Sequence, residues 1–438
     1  MPSPLNIICL ATYFKGVDFI QECKSRGAQI VLITKEKMLG EAWPREDLDE
    51  LVALPNDAGP DLFIHLTSLL ARQTRIDRVV ALEEFDVLTA AQLREHFCLP
   101  GMSSATARLF RDKLAMAAHA KQAGVNVPEF VALINHDEVR QFMERVPPPW
   151  IIKPRSDVSA IGIKRVQEPG EVWRAIDDLD ARERFRERSS HHLLARFVGG
   201  EVFHVDSLVN DGRVVFAGAN KYGRPPMEVA HKGGAYISHT IPRGTADEKA
   251  LFEFNRKLVK ALGLEKGAAH AEFIKSEQDG QFYFLEIAAR VGGAYIADVL
   301  EAASGVNLWR EWAKLEMEDG EKGRRRDAGT RRWGDTGMGR SGDGGTGRSG
   351  DAGKGGARRI KPLRKEYAGI ILSLARQEFP DTSSYNDPEI VYRVNKKHHS
   401  GLIVRSKSLE RVQELLNQYS VRFTEDFAAV LPPLERAE

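Results

Sequence analysis

The chain has 438 residues, with 63 Lys+Arg against 62 Asp+Glu, 42% hydrophobic and 29% charged residues. At roughly 100–200 residues per domain this is ordinary for a multidomain globular protein, and the net charge of +1 gives no global field for nucleic acid or an anionic membrane. Cys9, Cys23 and Cys98 lack CxxC spacing, which argues against a disulfide framework and a zinc site. No apolar stretch nears the roughly 20 residues that span a bilayer, and the N-terminus lacks a signal-peptide pattern, so the expected location is cytoplasmic.

Leu5–Ala11 is a short apolar run, the pattern of a strand buried on both faces, with Cys9 as a core residue. Val17–Arg26 reads as a helix stopped by Gly27, Gln29–Thr34 as a strand, Leu62–Arg72 as a helix and Arg78–Leu82 as a strand. This alternation predicts a doubly wound parallel sheet over 1–104. No GxGxxG follows the first strand, so the dinucleotide fingerprint is absent.

Ala105–Ala123 reads as a helix, followed by a turn at Gly124 and Pro128. Trp150–Lys153 and Gly162–Val166 are strands around a small-residue loop, Arg155–Gly162, whose amides are suited to cover phosphates as a lid. The loop is not GxxxxGK[ST], which excludes a P-loop. Leu193–Phe197, Glu201–Val209 and Arg213–Ala219 read as antiparallel strands, with a hairpin turn at Asn210-Asp211-Gly212. Glu248–Leu262 is a helix, and Ala269–Lys275 and Gln281–Ile287 form a strand pair around Asp279-Gly280. Tyr295–Ala303 and Asn307–Met317 read as helices.

Residues 319–357 hold 14 glycines in 39 positions, and GRSGD recurs at 339–343 and 347–351. Such a stretch buries too little apolar area to offset ordering entropy, so disorder is expected over 319–359. Its arginines are interspersed with acids, the pattern of a solvated linker rather than a nucleic-acid site. Beyond it, Tyr367–Ala375, Glu389–Val394 and Gly401–Arg405 read as strands and Leu409–Tyr419 as a helix, an α+β segment over 360–438.

The chemistry concentrates on the paired strands. Glu272 and Glu286 can share one apolar sheet face, which is costly unless a cation neutralises them. Hard oxygen ligands suit Mg2+ held together with a polyphosphate. Arg290 lies four residues on, placed to stabilise charge on a transferred phosphoryl group. Lys153 ends an apolar strand beside the small-residue loop. Lys113, on a helix, would by itself read as a solvated charge. His231, in His-Lys-Gly-Gly, fits either a substrate carboxylate or a plain surface loop. His270 reads as a packed histidine and Asp206 as structural support.

In order and spacing, Asp112-Lys113, the turn 123–128, Ile152-Lys153-Pro154-Arg155, Gly200-Glu201, Ala271-Glu272-Phe273 and Leu285-Glu286 through Arg290 resemble the ATP-grasp superfamily over residues 105–310. The Arg-Val-Gly-Gly-Ala tail at 290–294 and the 300–306 segment resemble its amino-acid and dipeptide ligases. The resemblance implies a pre-ATP-grasp α/β domain (1–104) and an ATP-grasp domain (105–318) with lobes at 105–192 and 193–318. The C-terminal segment would pack on that domain. It implies ATP and Mg2+, with Mn2+ as a substitute. Lys113, Lys153 and Arg155 would sit on ATP phosphates, Glu201 on the ribose, and Ala195, Phe197 and Val198 at the adenine. Glu272 and Glu286 would hold metal, and Arg290 and Lys153 would act in catalysis. His231, Gly292 and Gly293 would lie near substrate. Two departures stand out. Ala288 replaces the family's usual Asn ligand, and Ala195 and Arg196 replace its hinge acids.

The expected reaction joins a small-molecule carboxylate to an amine through an acyl phosphate, releasing ADP and phosphate. The alternatives are a carboxylase activating bicarbonate and a non-catalytic nucleotide-binding module. No nucleic-acid or membrane partner is expected, and a homodimer is compatible with this reading.

Overall fold

The computed structural model describes residues 4–156, 162–183, 191–227, 229, 234–318 and 359–429. The expected disorder at 319–357, the lid residues 157–161 and His231 lie outside the described residues.

The first sheet is parallel and four-stranded. Strands β1 (Asn6–Leu10), β2 (Gln29–Lys35), β3 (Glu50–Leu54) and β4 (Arg78–Ala81) stand in the order β3-β2-β1-β4. Its helices are α1 (Val17–Ser25), α2 (Pro60–Ala71) and α3 (Val87–His96). Ile7, Cys9 and Leu10 are at most 1% exposed, as a strand covered on both faces requires. β3 and α3 were not read from the sequence. Glu50–Leu54 is short and only partly buried, and α3 has almost no amphipathic contrast.

The helix expected over 105–123 is two helices, α4 (Ser104–Leu109) and α5 (Lys113–Gln122). The break has a local cause. Asp112 is extended and its carboxylate accepts from Leu114 N (3.1 Å) and Ala115 N (3.4 Å), so it caps α5 rather than continuing a helix.

The second sheet is antiparallel, in the order β5-β8-β6-β7: β5 (Phe130–Ala132), β6 (Trp150–Pro154), β7 (Lys164–Val166) and β8 (His192–Arg196). Helices α6 (His136–Arg145) and α7 (Pro169–Glu183) close its core through Phe142, Trp150, Val172 and Leu194. This corrects the expected grouping of 193–197 with the strands that follow. β8 pairs with β6, Ile151 opposite Ala195, and the sheet changes after Phe197 rather than at 192. The next strand, β9 (Gly200–Asn210), has both edges occupied by β10 (Arg213–Tyr222) and β12 (Gly267–Ser276).

The third sheet has eight antiparallel strands, β13-β12-β9-β10-β11-β14-β16-β15. Besides β9, β10 and β12 it contains β11 (Tyr236–Thr240), β13 (Phe282–Ala288), β14 (Tyr367–Leu374), β15 (Ile390–Arg393) and β16 (His399–Ser406). The C-terminal strands therefore extend this sheet through β11–β14 pairing. Asp211 (φ 51°) and Gly212 (φ 69°) make the expected tight hairpin turn between β9 and β10. At Gly200 a Cβ would stand 2.0 Å from the Lys275 carbonyl oxygen, so only glycine lets β9 and β12 meet there. Helix α8 (Ala246–Leu262) covers one face through Leu251, Leu258 and Leu262, while α9 (Ile296–Ser304) and a tenth helix over 308–318 follow β13. Helix α11 (Leu409–Asp426) packs Leu415, Leu416 and Phe423 on the opposite side of β14 and β16 from α9.

Candidate functional site

β12 and β13 pair with Glu272 directly opposite Glu286, so both side chains leave the same face of the large sheet. That face looks into a cavity of about 820 Å3 between the second and third sheets. Lys113, Lys153, Ala195, Phe197, Val198 and Glu201 line it, as do Glu272, Glu286, Arg290 and Gly293. Ile151, Val202, Ile274 and Leu285 form apolar walls, a mix suited to a flat heterocycle with a charged tail.

Lys113 opens α5 and reaches across to β13, its Nζ 2.8 Å from Glu286 Oε2. Lys153 leaves β6 toward the same place. Burial first, then the charge of Lys113, push its ammonium down to about 8, although Glu286 and Glu272 pull the other way. Two neighbouring ammonium groups on a lining that also carries carboxylates favour an incoming polyanion bound together with a cation. Glu201 stands across the cavity in an ion pair with Lys221.

Arg290 donates from Nε to Glu84 Oε2 (2.8 Å) and from Nη1 to the Val291 carbonyl (3.0 Å). Burial works against its charge, but Glu84 and Glu83 more than offset that and raise it, so the guanidinium stays charged. Glu84 also receives Arg111 Nη1. Burial pushes the Glu84 carboxyl up, yet Arg290 and Arg111 bring it to about 2. Glu83 pairs with Lys15.

Glu272 is embedded in a polar chain. Tyr222 Oη donates to its Oε1 at 2.6 Å, and His270 Nε2 lies 3.3 Å from the same oxygen. Burial raises the Glu272 carboxyl, but the hydrogen bond and charge of His270 lead the groups that leave it lowered. His270 Nδ1 reaches Asp206 Oδ1 at 2.8 Å, and His204 Nδ1 reaches Asp206 Oδ2 at 2.6 Å. Burial alone would lower His270, but Asp206 raises it to about 10.

Two residues expected at the site are elsewhere. Arg155 is not among the lining residues. Its guanidinium grips Asp112, Nε donating to Oδ1 at 2.9 Å, because that buried N-cap carboxylate is the nearer anion. Gly292 also lies off the lining: a Cβ there would sit 2.5 Å from Asp206 Oδ1, so its role is close packing on the polar chain. Tyr222, His204 and Glu84 were not singled out from the sequence. Glu83-Glu84 at the carboxyl end of a parallel strand is a signal that could have found the last, since α/β sheets bind ligands there. Tyr222 carried no comparable signal.

Residues 146–298 match the family model of the ATP-grasp domain. The match takes in Lys153, Glu201, Glu272, Glu286 and Arg290 but not Lys113 or β14 to β16. The L-arginine-specific L-amino acid ligase of Bacillus subtilis is 24% identical over 242 residues, 55% of this chain and 58% of that protein. The D-alanine–D-alanine ligase of Neisseria gonorrhoeae is 23% identical over 189 residues, 43% of this chain and 60% of that protein. The matched region thus spans about three fifths of these curated relatives' length. Among solved structures, an L-amino acid ligase from Bacillus licheniformis superposes with a TM-score of 0.69 at 17% identity, covering 98% of this chain and 99% of that one. The biotin carboxylase domain of Hydrogenobacter thermophilus 2-oxoglutarate carboxylase gives 0.65 at 16% identity, covering 96% and 90%. At such identities the superpositions establish the fold.

Proposed function

We propose that this chain, which carries an ATP-grasp domain, is an ATP-dependent ligase joining a small carboxylate to an amine. The observation that carries this reading is the convergence of Glu272, Glu286, Lys113, Lys153 and Arg290 on one cavity. The sequence relatives, both amino-acid ligases by name, support the same branch.

In this reading Lys113 and Lys153 hold the ATP phosphates and offset their repulsion of an incoming carboxylate. Ala195, Phe197 and Val198 contact the adenine, and Glu201 accepts hydrogen bonds from the ribose hydroxyls. A carboxylate oxygen of the substrate attacks the γ-phosphorus, the bond to the ADP oxygen breaks, and an acyl phosphate forms. The amine nitrogen then attacks the acyl carbon, phosphate leaves with the electron pair of the C–O bond, and the nitrogen loses a proton. Arg290, kept charged by Glu84, orients the transferred phosphoryl group. The two sheets enclosing the cavity keep water from the acyl phosphate.

Opposed carboxylates are a hard-oxygen donor set that fits Mg2+ or Mn2+. Among the described residues, Glu272 Oε2 has no hydrogen bond, which leaves it available as a ligand. Glu272 and Glu286 would hold the ion, which would supply charge neutralisation at the polyphosphate. Ala288 contributes no ligand atom, so two carboxylates carry the protein's share.

The test is ADP release by the purified protein with ATP, Mg2+ and pairs of amino acids, with the product read by mass spectrometry. Amine-dependent ADP release with an amide product is expected. ADP release stimulated by bicarbonate without an amine would replace the reading with a carboxylase. Nucleotide binding without turnover on any pair would leave a binding module.

A further inference from the structure

Behind Glu272 the large sheet carries polar groups where apolar side chains would pack more cheaply. Ser238, His204 and Asp206 are at most 1% exposed, and His270 is 6% exposed. Burying such a row is costly unless every member is satisfied. They form one continuous chain. Ser238 Oγ lies 2.8 Å from His204 Nε2, His204 Nδ1 2.6 Å from Asp206 Oδ2, Asp206 Oδ1 2.8 Å from His270 Nδ1, and His270 Nε2 3.3 Å from Glu272 Oε1. The sheet register builds it, because His204 stands opposite Glu272 and Asp206 opposite His270 on β9 and β12.

Two histidines and an aspartate this close resemble a cation site. Their bonds argue otherwise. All four ring nitrogens are already engaged, and both carboxylate oxygens of Asp206 accept from a ring nitrogen. The direction of the chain follows from its ends. His270 lies between two carboxylates, which accept, so both its nitrogens donate. Ser238 closes the far end with a hydrogen bond to His204. A second arm reaches the same oxygen: the Tyr222 ring lies on the His204 ring at 4.7 Å between centroids, and its hydroxyl donates to Glu272 Oε1 at 2.6 Å. His204 thus supports both groups that hold Oε1.

We propose that the buried Ser238–His204–Asp206–His270 chain, with Tyr222, is a positioning device that holds Glu272 Oε1 and presents Oε2 as a single-oxygen ligand to a divalent cation. A free carboxylate alternates between one-oxygen and two-oxygen ligation. Two donors on Oε1 remove the second mode and the rotation that leads to it. Gly292 packs directly on Asp206, so the segment following Arg290 is set by the same chain.

The inference rests on the reading of Glu272 as a cation ligand, and the test separates the two. Mn2+ binding in the presence of ADP is measured by electron paramagnetic resonance, and ADP binding without metal by calorimetry. Glu272→Gln should weaken Mn2+ binding; if it does not, the ligand reading fails. Asp206→Asn should weaken Mn2+ binding about tenfold to a hundredfold, the effect of losing an outer-shell partner, with metal-free ADP affinity unchanged. Combined with Glu272→Gln, it should add little, because Asp206 acts through Glu272. Full Mn2+ affinity in Asp206→Asn, or a loss that adds in full to that of Glu272→Gln, overturns the positioning role while leaving the ligand reading intact. Should Asp206→Asn fail to fold, Ser238→Ala removes the terminal hydrogen-bond partner instead. It should give a smaller loss of Mn2+ affinity in the same direction, and no loss overturns the proposal.

Discussion

Lys113 Nζ lies 2.8 Å from Glu286 Oε2, joining the first turn of α5 to a strand 173 positions later in the chain. The contact puts a cation and an anion side by side on the lining of one cavity. Its geometry depends on the Asp112 cap, because Lys113 is the first residue of the helix that Asp112 starts.

Glu286→Gln preserves shape and removes one negative charge from this arrangement. Turnover in the ADP-release assay should fall by about a hundredfold or more, the scale for losing a principal electrostatic group. Circular dichroism should show an intact fold. Near-normal turnover would remove Glu286 from the metal site.

Lys153→Met keeps the aliphatic stem and deletes the charge. ATP–Mg2+ binding should weaken by about 1–3 kcal/mol. The rise in melting temperature that ATP–Mg2+ confers should shrink accordingly. Lys121→Met, on the exposed part of α5, serves as the control and should keep the full rise.

The same lysine predicts a pH dependence. Its folded-state value of about 8, lowered first by burial, lies below the ordinary 10.5, so the fold disfavours the ammonium. Below pH 8 that cost is fully present. Between pH 8 and 10.5 the folded protein releases the proton first, and the cost fades. The stability of the nucleotide-free protein should therefore rise relative to Lys153→Met as pH goes from 7 to 10, read as the difference in their melting temperatures. A constant difference would contradict the burial of the ammonium.

Asp112 caps α5 and pairs with both Arg155 and Arg108, and two variants separate the cap from the ion pairs. Asp112→Asn keeps an oxygen for Leu114 N and Ala115 N but loses the ion pairs, whereas Asp112→Ala loses cap and pairs together. Chemical denaturation should show a cost of about 1–2 kcal/mol for the cap in the alanine variant, with asparagine less affected. ADP affinity should follow the same order, since α5 carries Lys113.

Glu84 lies between Arg111 and Arg290. Its folded-state value of about 2, well below the ordinary 4.5, means that the stability it contributes is present above pH 4.5 and lost as pH falls toward 2. Urea midpoints of Glu84→Gln and the parent chain should differ at pH 7, and the difference should shrink below pH 4.5 and close as pH falls to about 2. Turnover should also fall, since Arg290 loses its anchor.

Much of this protein is written locally. The tight turn at Asp279-Gly280 and the alternation on either side set the strand pair locally as far as Phe273 opposite Phe284, because strand register follows the turn and the buried face, and a register shift between Glu272 and Phe273 then brings Glu272 opposite Glu286. The parallel start is equally local, since apolar runs buried on both faces identify its strands. Other features depend on groups far apart in sequence, and no local pattern encodes them. Arg155 turns to Asp112 rather than to the cavity because chain packing brings that carboxylate nearer. β8 joins the small sheet because β9 has no free edge. The chain from Ser238 to Glu272 exists only once β9, β11 and β12 lie with their polar residues close together on one face. Local propensity and periodicity specify which atoms an element exposes. Which exposed atoms meet is decided by long-range packing, where desolvation makes each buried polar group take the nearest partner the fold provides.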